Sequence, residues 1–234
     1  NAEGQLSLAQ MPEIESAMVA LSPNTGAVTA LVGGFDFFKS KFNRATQALR
    51  QAGSSFKPFL YTTALEKGYS AASIINDAPV VFDDPALESK WKPENYSGKF
   101  YGPTRLRVAL ANSRNLVSIR LLLELGVGPV RRFAKRFGFQ DEHLPRDLSL
   151  ALGSGSTTPL DLATSFAALA NGGYKVGAFF INRIENANGE VIFAQQYTAA
   201  CTLCIAPVKE VSEEALEEEP AEAEPTALEL PPLA

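Results

Sequence analysis

The chain has 234 residues, 46% of them apolar and 20% charged, with a formal net charge of -5. That composition suits one sizeable hydrophobic core and excludes a wholly disordered chain, a collagen or a coiled-coil rod. No run of 18 apolar residues is present, residues 1 to 10 have neither the basic nor the apolar region of a signal peptide, and two cysteines are too few for a disulfide scaffold. The chain does not begin with Met, which sets the expectation that it is a piece of a longer one.

Nine Glu and one Lys fall between Lys209 and the C-terminus, a net of about -8, so residues 1 to 208 carry about +3. The low isoelectric point belongs to the acidic end. A body so weakly basic, without a basic stripe interleaved with aromatics, gives no reason to expect nucleic acid as a partner.

In chain order, residues 16 to 34 read as a hairpin turning at Pro23-Asn24-Thr25-Gly26. From Ser54 the apolar spacing becomes helical (Phe56, Phe59, Leu60, Ala64, Leu65), with Gly68 suited to end the helix. Residues 76 to 103 read as a long loop rich in aromatics, including Phe82, Trp91, Tyr96 and Tyr101, and such loops are often functional. Helices are expected at Thr104 to Ala111, Leu116 to Leu125 and Pro129 to Phe137. A fourth, Pro159 to Ala170, has Pro in its first turn and Asn171-Gly172-Gly173 after its last. A second hairpin is expected over residues 178 to 194, turning at Asn188-Gly189. From about Lys209, Glu, Ala, Pro and Leu dominate, a composition that reads as a solvated linker or tail. The order hairpin, helical block, hairpin indicates an α+β domain with helices packed on an antiparallel sheet.

Two short motifs can carry chemistry. Ser54-Ser55-Phe56-Lys57 contains Ser-x-x-Lys, and residues three apart share a helix face, so the Lys57 amine can stand beside the Ser54 hydroxyl. A serine needs a base to become a nucleophile, and a lysine serves when burial lowers its pKa. With 17 Ser and 10 Lys, about one such match arises by chance, and Ser54 would equally suit a helix cap. Ser113-Arg114-Asn115 is the second motif. In an extended loop Ser113 and Asn115 would point the same way, the hydroxyl to relay a proton and the carboxamide to bind an amide and hold the lysine. A plain helix junction accounts for this second motif as well.

Taken together and in order, these words make the stretch from Ser16 to Phe193 resemble the transpeptidase domain of class A (bifunctional) penicillin-binding proteins, nearest the Gram-negative type 1a members. The words are Gly33-Gly34-Phe35, Phe42-Asn43-Arg44-Ala45, Gly53 to Pro58, Trp91-Lys92-Pro93-Glu94-Asn95-Tyr96, Ser113-Arg114-Asn115, Ala151-Leu152-Gly153 with Thr158-Pro159, and Ala170 to Gly173; Cys201-Thr202-Leu203-Cys204 also has a counterpart there. The resemblance implies the D,D-peptidase fold shared with serine β-lactamases. It implies that Ser54 attacks the D-Ala-D-Ala amide of a peptidoglycan stem peptide with Lys57 as general base. Ser113 and Asn115 would shuttle protons and bind the donor peptide, and the acyl group would pass to an amine on a neighbouring stem. β-Lactams would acylate Ser54. Trp91 and Asn95 are candidate substrate-binding residues at the cleft, with a purely structural role standing beside that one. Implied partners are stem peptides on lipid II-derived glycan strands, β-lactams and cell-wall synthesis accessory proteins, with no cofactor and no metal. The implied location is the periplasmic face of the bacterial inner membrane, anchored by a preceding segment that this chain lacks, as it lacks the family's glycosyltransferase domain.

The family's third motif, Lys-Thr/Ser-Gly, is missing. Lys175-Val176-Gly177 lacks the hydroxyl and precedes the second hairpin. In the family that strand supplies a cation and a hydroxyl for the substrate carboxylate. It also supplies one backbone donor of the oxyanion hole, the other being the Ser54 amide, and losing one donor typically costs about 10²–10³ in rate. The expectation is therefore a truncated product or a fragment, with residues 1–15 a linker, 16–200 a partial transpeptidase domain and 201–234 the Cys-x-x-Cys and acidic tail. Two other enzymatic outcomes share the serine-lysine pair, a D,D-carboxypeptidase and a serine β-lactamase, and a non-catalytic binding fragment is the remaining reading. His143 sits in a polar loop and reads as solvated, without the context of a Ser-His-Asp triad. Cys201 and Cys204 have one His as a distant third ligand, so zinc is not expected; a local disulfide and two free thiols stand as equal readings.

Overall fold

The computed structural model describes residues 10, 12–81, 91–197, 199 and 200. The chain divides into two units, Asn1–Cys201 and Thr202–Ala234. The expectations for Phe82, the two cysteines and the acidic segment fall outside the described residues.

Strands β1 (Met18–Leu21) and β2 (Val28–Val32) pair antiparallel around a turn closed by Gly26 N–H donating to Ser22 O at 2.8 Å. A four-residue helix, α1 (Arg44–Gln47), follows, capped by the Asn43 side chain, which accepts from Ala45 N–H at 3.0 Å. Arg44 also pairs with the Glu15 carboxylate, which ties the segment before β1 to α1. The two-residue strand β3 (Arg50–Gln51) leads into a 3-10 turn, Gly53–Phe56, and then α2 (Lys57–Glu66).

Helix α2 is the centre of the molecule. Lys57, Phe59, Leu60, Tyr61, Thr63 and Ala64 are all buried, so it is enclosed on nearly every side rather than amphipathic. Phe59 packs edge-on against Phe137, Phe139 and Phe166 with ring centroids 5.1, 4.9 and 5.3 Å away. A side chain as fully buried as Phe59 contributes about 1.5–3 kcal/mol before the entropy of ordering is subtracted.

Strand β4 (Ile74–Asp77) pairs antiparallel with β5 (Gly102–Arg105), Asp77 opposite Gly102. This ladder brackets the segment read from sequence as loop alone. Asn76, Asp77, Gly102 and Pro103 are poor strand formers, and pairing rather than propensity makes the strands. It also moves the start of the next helix from Thr104 to Leu106, because Thr104 is committed to β5: α3 is Leu106–Ala111. Helices α4 (Asn115–Leu125) and α5 (Val127–Arg136) meet at Gly126. Leu116, Val117, Ile119, Leu121 and Leu122 of α4 are completely buried and, with α2 and Val130 and Ala134 of α5, form the core.

A 3-10 turn over Leu148–Leu152 leads to β6 (Ser156–Thr157), which pairs antiparallel with β3. Helix α6 (Pro159–Ala170) has the bounds its sequence announces, with the Thr158 hydroxyl accepting from Asp161 N–H at 3.1 Å. The last ladder is β7 (Arg183–Glu185) with β8 (Val191–Ala194). It starts later than the residue-178 hairpin expected, because Phe179 forms a parallel bridge to Ala27 beside β2 instead. The fold is α+β, as expected. Among the described residues, however, the strands form four two-stranded ladders rather than one sheet, and the helices supply the core.

Candidate active site

Ser54 lies in the 3-10 turn that enters α2, and Lys57 N–H donates to Ser54 O, closing one helical turn between them. Residues three apart in a 3-10 turn eclipse one another, so the two side chains share a side of the turn. Ser54 is exposed, whereas Lys57 is buried, with 1% of its surface accessible. Ser54 therefore lies at the surface while the Lys57 amine is enclosed, and the amine's hydrogen bonds go to Ser113 and Asn115 rather than to Ser54.

The turn is held from outside its own helix. Beyond the β3–β6 pair, Ala52 N–H donates to Gly155 O at 3.1 Å and Gly53 N–H donates to Gly153 O at 2.9 Å. The backbone just before Ser54 is therefore laddered to residues 153–157.

The Lys57 ammonium donates to Ser113 O at 2.7 Å, Ser113 Oγ at 2.9 Å and Asn115 Oδ1 at 2.7 Å. Among the described residues it has no carboxylate partner, and burial lowers its pKa from 10.5 to about 8. At neutral pH roughly a tenth of such an amine is unprotonated, far more than for a solvated lysine. In the neutral form two N–H groups satisfy Ser113 O and Asn115 Oδ1, neither of which can donate, and the lone pair is left to accept a hydroxyl proton.

Ser113 and Asn115 meet Lys57 by a route other than the extended loop read from sequence. Ser113 has φ 51°, and it is the one non-glycine residue with positive φ among the described residues. It occupies the left-handed position that ends α3: Ser113 N–H donates to Leu110 O at 3.0 Å and Arg114 N–H to Ala109 O at 2.8 Å. This is a Schellman motif with serine where glycine is usual, and the conformation costs of order 1 kcal/mol. The reversal turns both the carbonyl and the hydroxyl of Ser113 toward Lys57, while Asn115 is already the first residue of α4.

Asn95 is buried, with both polar groups of its side chain engaged. Its amide donates to Asp77 Oδ1 at 2.7 Å, Asp77 Oδ2 at 3.0 Å and Lys99 O at 2.9 Å. Its Oδ1 accepts from Asn115 N–H at 2.9 Å and Leu116 N–H at 3.4 Å. It therefore sits behind Asn115 rather than facing the exposed side of the site. Trp91 is half-buried and packs against the helical core. Asp77, wholly buried, was not singled out from sequence. Its signal was indirect: Arg114, the N-cap of α4, has no capping side chain, so the helix needs a cap from elsewhere.

Lys175 is exposed and lines a cleft with Glu66, Phe133 and Arg136; none of Ser54, Lys57, Ser113 and Asn115 lines it. His143 ends a 3-10 turn at Asp141–His143, half-buried. Among the described residues no group of three His, Cys, Asp or Glu side chains is arranged to hold a metal, and no helix is long and apolar enough to cross a membrane.

The structure thus sets an exposed serine at a helix entry, a buried lysine one turn on, and Ser113 and Asn115 against the lysine amine. In comparison with known proteins, residues 16–217 match the family described as the penicillin-binding protein transpeptidase domain, and the chain belongs to that family. It is 49% identical over 191 residues to penicillin-binding protein 1A of Pseudomonas aeruginosa, covering 82% of this chain and 23% of that protein. With penicillin-binding protein 1A of Escherichia coli the identity is 49% over 201 residues, covering 86% of this chain and 24% of the relative. The chain thus spans about a quarter of the length of these relatives. Among solved structures, penicillin-binding protein 1A of Haemophilus influenzae superposes with a TM-score of 0.81 at 40% identity, over 87% of this chain and 30% of that one. PonA1 of Mycobacterium tuberculosis, solved in complex with penicillin V, superposes with a TM-score of 0.69 at 29% identity, over 78% of this chain and 50% of that one.

Proposed function

We propose that this chain carries the nucleophile half of a D,D-transpeptidase site, which acylates itself on the D-Ala-D-Ala end of peptidoglycan stem peptides and on β-lactams. The observation that carries the reading is the buried Lys57 amine, its pKa lowered to about 8, held by Ser113 and Asn115 one helical turn from the exposed Ser54.

In this mechanism neutral Lys57 takes the Ser54 proton as Oγ attacks the carbonyl carbon of the penultimate D-alanine. The C–N bond breaks, and the departing amine of the terminal D-alanine receives its proton through Lys57 and Ser113. The ester on Ser54 is then attacked by an amine of a neighbouring stem peptide, forming the cross-link, or by water in a carboxypeptidase. With a β-lactam the same attack opens the ring, and the leaving amine stays tethered. Asn115 keeps its amide oxygen on Lys57 while its own amide group donates to Glu94 O at 2.9 Å.

The sequence holds no Lys-Thr-Gly or Lys-Ser-Gly. If the chain works without that strand, acylation runs slower than in a complete site by the factor of about 10²–10³ that one missing oxyanion donor costs. We place the activity at the periplasmic face of the bacterial inner membrane, with glycan strands and cell-wall synthesis proteins as partners. The test is to incubate the chain with a stem pentapeptide ending in D-Ala-D-Ala, with and without a D-amino acid acceptor, and to measure released D-alanine and exchanged product. Exchange that disappears in Ser54→Ala supports transpeptidation. Release without exchange makes the chain a carboxypeptidase, and activity retained in Ser54→Ala overturns the reading.

A further inference from the structure

The roof over Lys57 is itself held by a second, buried set of polar groups. Asn115 supplies the amide oxygen that accepts from Lys57, yet α4 begins at Asn115 and its N-cap, Arg114, has no capping side chain. The first amides of a helix lack intrahelical acceptors and must find one. Here the acceptor comes from 20 residues upstream: Asn95 Oδ1 takes Asn115 N–H at 2.9 Å and Leu116 N–H at 3.4 Å.

A carboxamide can cap in this way only if its oxygen faces the helix. A flipped Asn95 would turn its NH₂ group onto two N–H donors. Asp77 fixes the orientation, because its two carboxylate oxygens take the Asn95 amide at 2.7 and 3.0 Å and can only accept. Asp77 is 0% exposed and Asn95 5% exposed, so neither bond exchanges freely with water. Asp77 is held in turn by the β4–β5 ladder and lies 4.0 Å from Arg114 Nε, whose guanidinium stacks 3.4 Å from the Tyr101 ring centre. The other side of Asn115 is fixed by the same segment, since Glu94 O accepts from Asn115 Nδ2.

We propose that Asp77 and Asn95 are positioning residues for the acylation chemistry: through the start of α4 they set the place of the Asn115 amide oxygen on Lys57. The proposal rests on the reading of Ser54 and Lys57 given above and extends it to two residues that do not touch substrate. It gives Asn95 work inside the protein, and it gives the β4–β5 ladder a function, to anchor the carboxylate that orients the cap.

The charged and titratable groups around this network include Tyr61 of α2, which hydrogen-bonds to Ser118 and feels the Asp77 charge. Ser113 and Asn115 contact the Lys57 amine, Asp77 stands behind Asn95, Arg114 flanks Asp77, and Glu94 contributes its backbone carbonyl. Loosening Asn115 removes an acceptor from the ammonium form. That loss disfavours the protonated amine, so the Lys57 midpoint moves down in pH while the plateau rate of acylation falls.

The test uses the full chain, with Asp77→Asn as the shape-conserving variant and Asn95→Ala as the second. The first readout is the rate of covalent labelling by a penicillin as a function of pH. The expected result is a plateau about tenfold or more below the parent, since small misplacements of a catalytic group cost that much, with the pH midpoint shifted down and the melting temperature changed little. The second readout is a double-mutant cycle: in an Asn115→Ala background, Asp77→Asn is expected to cost nothing further. Labelling of Asp77→Asn at the parent rate with the parent pH profile overturns the proposal. So does an undiminished effect in the Asn115→Ala background, or loss of the folded state in both variants. Should the parent itself fail to label, it is the functional reading that fails. The proposal is then decided by titrating Lys57 in ¹⁵N-lysine-labelled protein, where an unchanged midpoint in both variants overturns it and a lowered one sustains it.

Discussion

Gly153 closes on Gly53 so tightly that a Cβ built on Gly153 would sit 1.8 Å from Gly53 O. The same pair is joined by the bond from Gly53 N–H to Gly153 O, at 2.9 Å. The residue before the proposed nucleophile is thus packed backbone to backbone against the loop between the Leu148–Leu152 turn and β6. The Leu148–Leu152 turn itself rests on α4, which presents Asn115. One clasp therefore connects the two elements that bring Ser54 and the Lys57 partners together.

The clasp makes Gly153 the least replaceable glycine near the site. Its φ of 72° strains any L side chain, and the Cβ would meet backbone that cannot swing aside. Gly153→Ala should lower stability by about 2 kcal/mol or more, and penicillin labelling should fall with it. Gly172→Ala is the control: its φ is 86° but nothing lies within 4 Å of the added methyl. It should cost about 1 kcal/mol and leave labelling intact. Thermal melts beside labelling rates check both, and equal losses in the two variants would contradict the clasp.

Ser113 separates stability from chemistry. Ser113→Gly keeps the reversal after α3 and relieves its strain, so the melting temperature should hold or rise slightly, by up to about 1 kcal/mol in stability. The hydroxyl 2.9 Å from Lys57 is lost, and labelling should slow by about 10²-fold or more. Ser113→Ala should lose the chemistry to the same degree without the gain in stability. A Ser113→Gly variant that labels at the parent rate would remove the hydroxyl from the mechanism.

Lys57 sets a pH dependence with a definite sign. Burial lowers its pKa to about 8, so the neutral amine is scarce below that and complete above it. The labelling rate should rise about tenfold per pH unit up to near pH 7.5 and flatten above pH 8.5. Stability follows the same linkage: between about pH 8 and 10.5 the unfolded chain binds the extra proton, so the Lys57 contribution makes the fold more stable as pH rises through that window. Lys57→Met should remove both trends, which rate and melting profiles across pH 6 to 10.5 will show.

The residues around Lys57 were legible because their motifs are local. Ser-x-x-Lys spans one helical turn, and Ser-x-Asn spans one helix junction. Helix α6 was legible for the same reason, with Thr158, Pro159 and Gly172 all acting within a few residues of its ends. The β4–β5 ladder was not, because Asp77 and Gly102 lie 25 positions apart and neither favours a strand. The backbone reversal at Ser113 was hidden too, since serine rarely takes positive φ; the two backbone hydrogen bonds that end α3 and the contacts with Lys57 hold it there. Asn95 shows the remaining limit: the resemblance leaves a substrate-binding and a structural role side by side, and only the buried bonds to Asp77 show its side chain already committed.

The central claim is that Ser54 is an activated nucleophile. Intact-protein mass spectrometry after incubation with a penicillin, beside Ser54→Ala, tests it most directly. The expected result is a gain of one penicillin mass per chain, formed faster at pH 8.5 than at pH 6.5 and absent from the variant. A gain that persists in Ser54→Ala, or none in a parent chain shown to be folded, would contradict it.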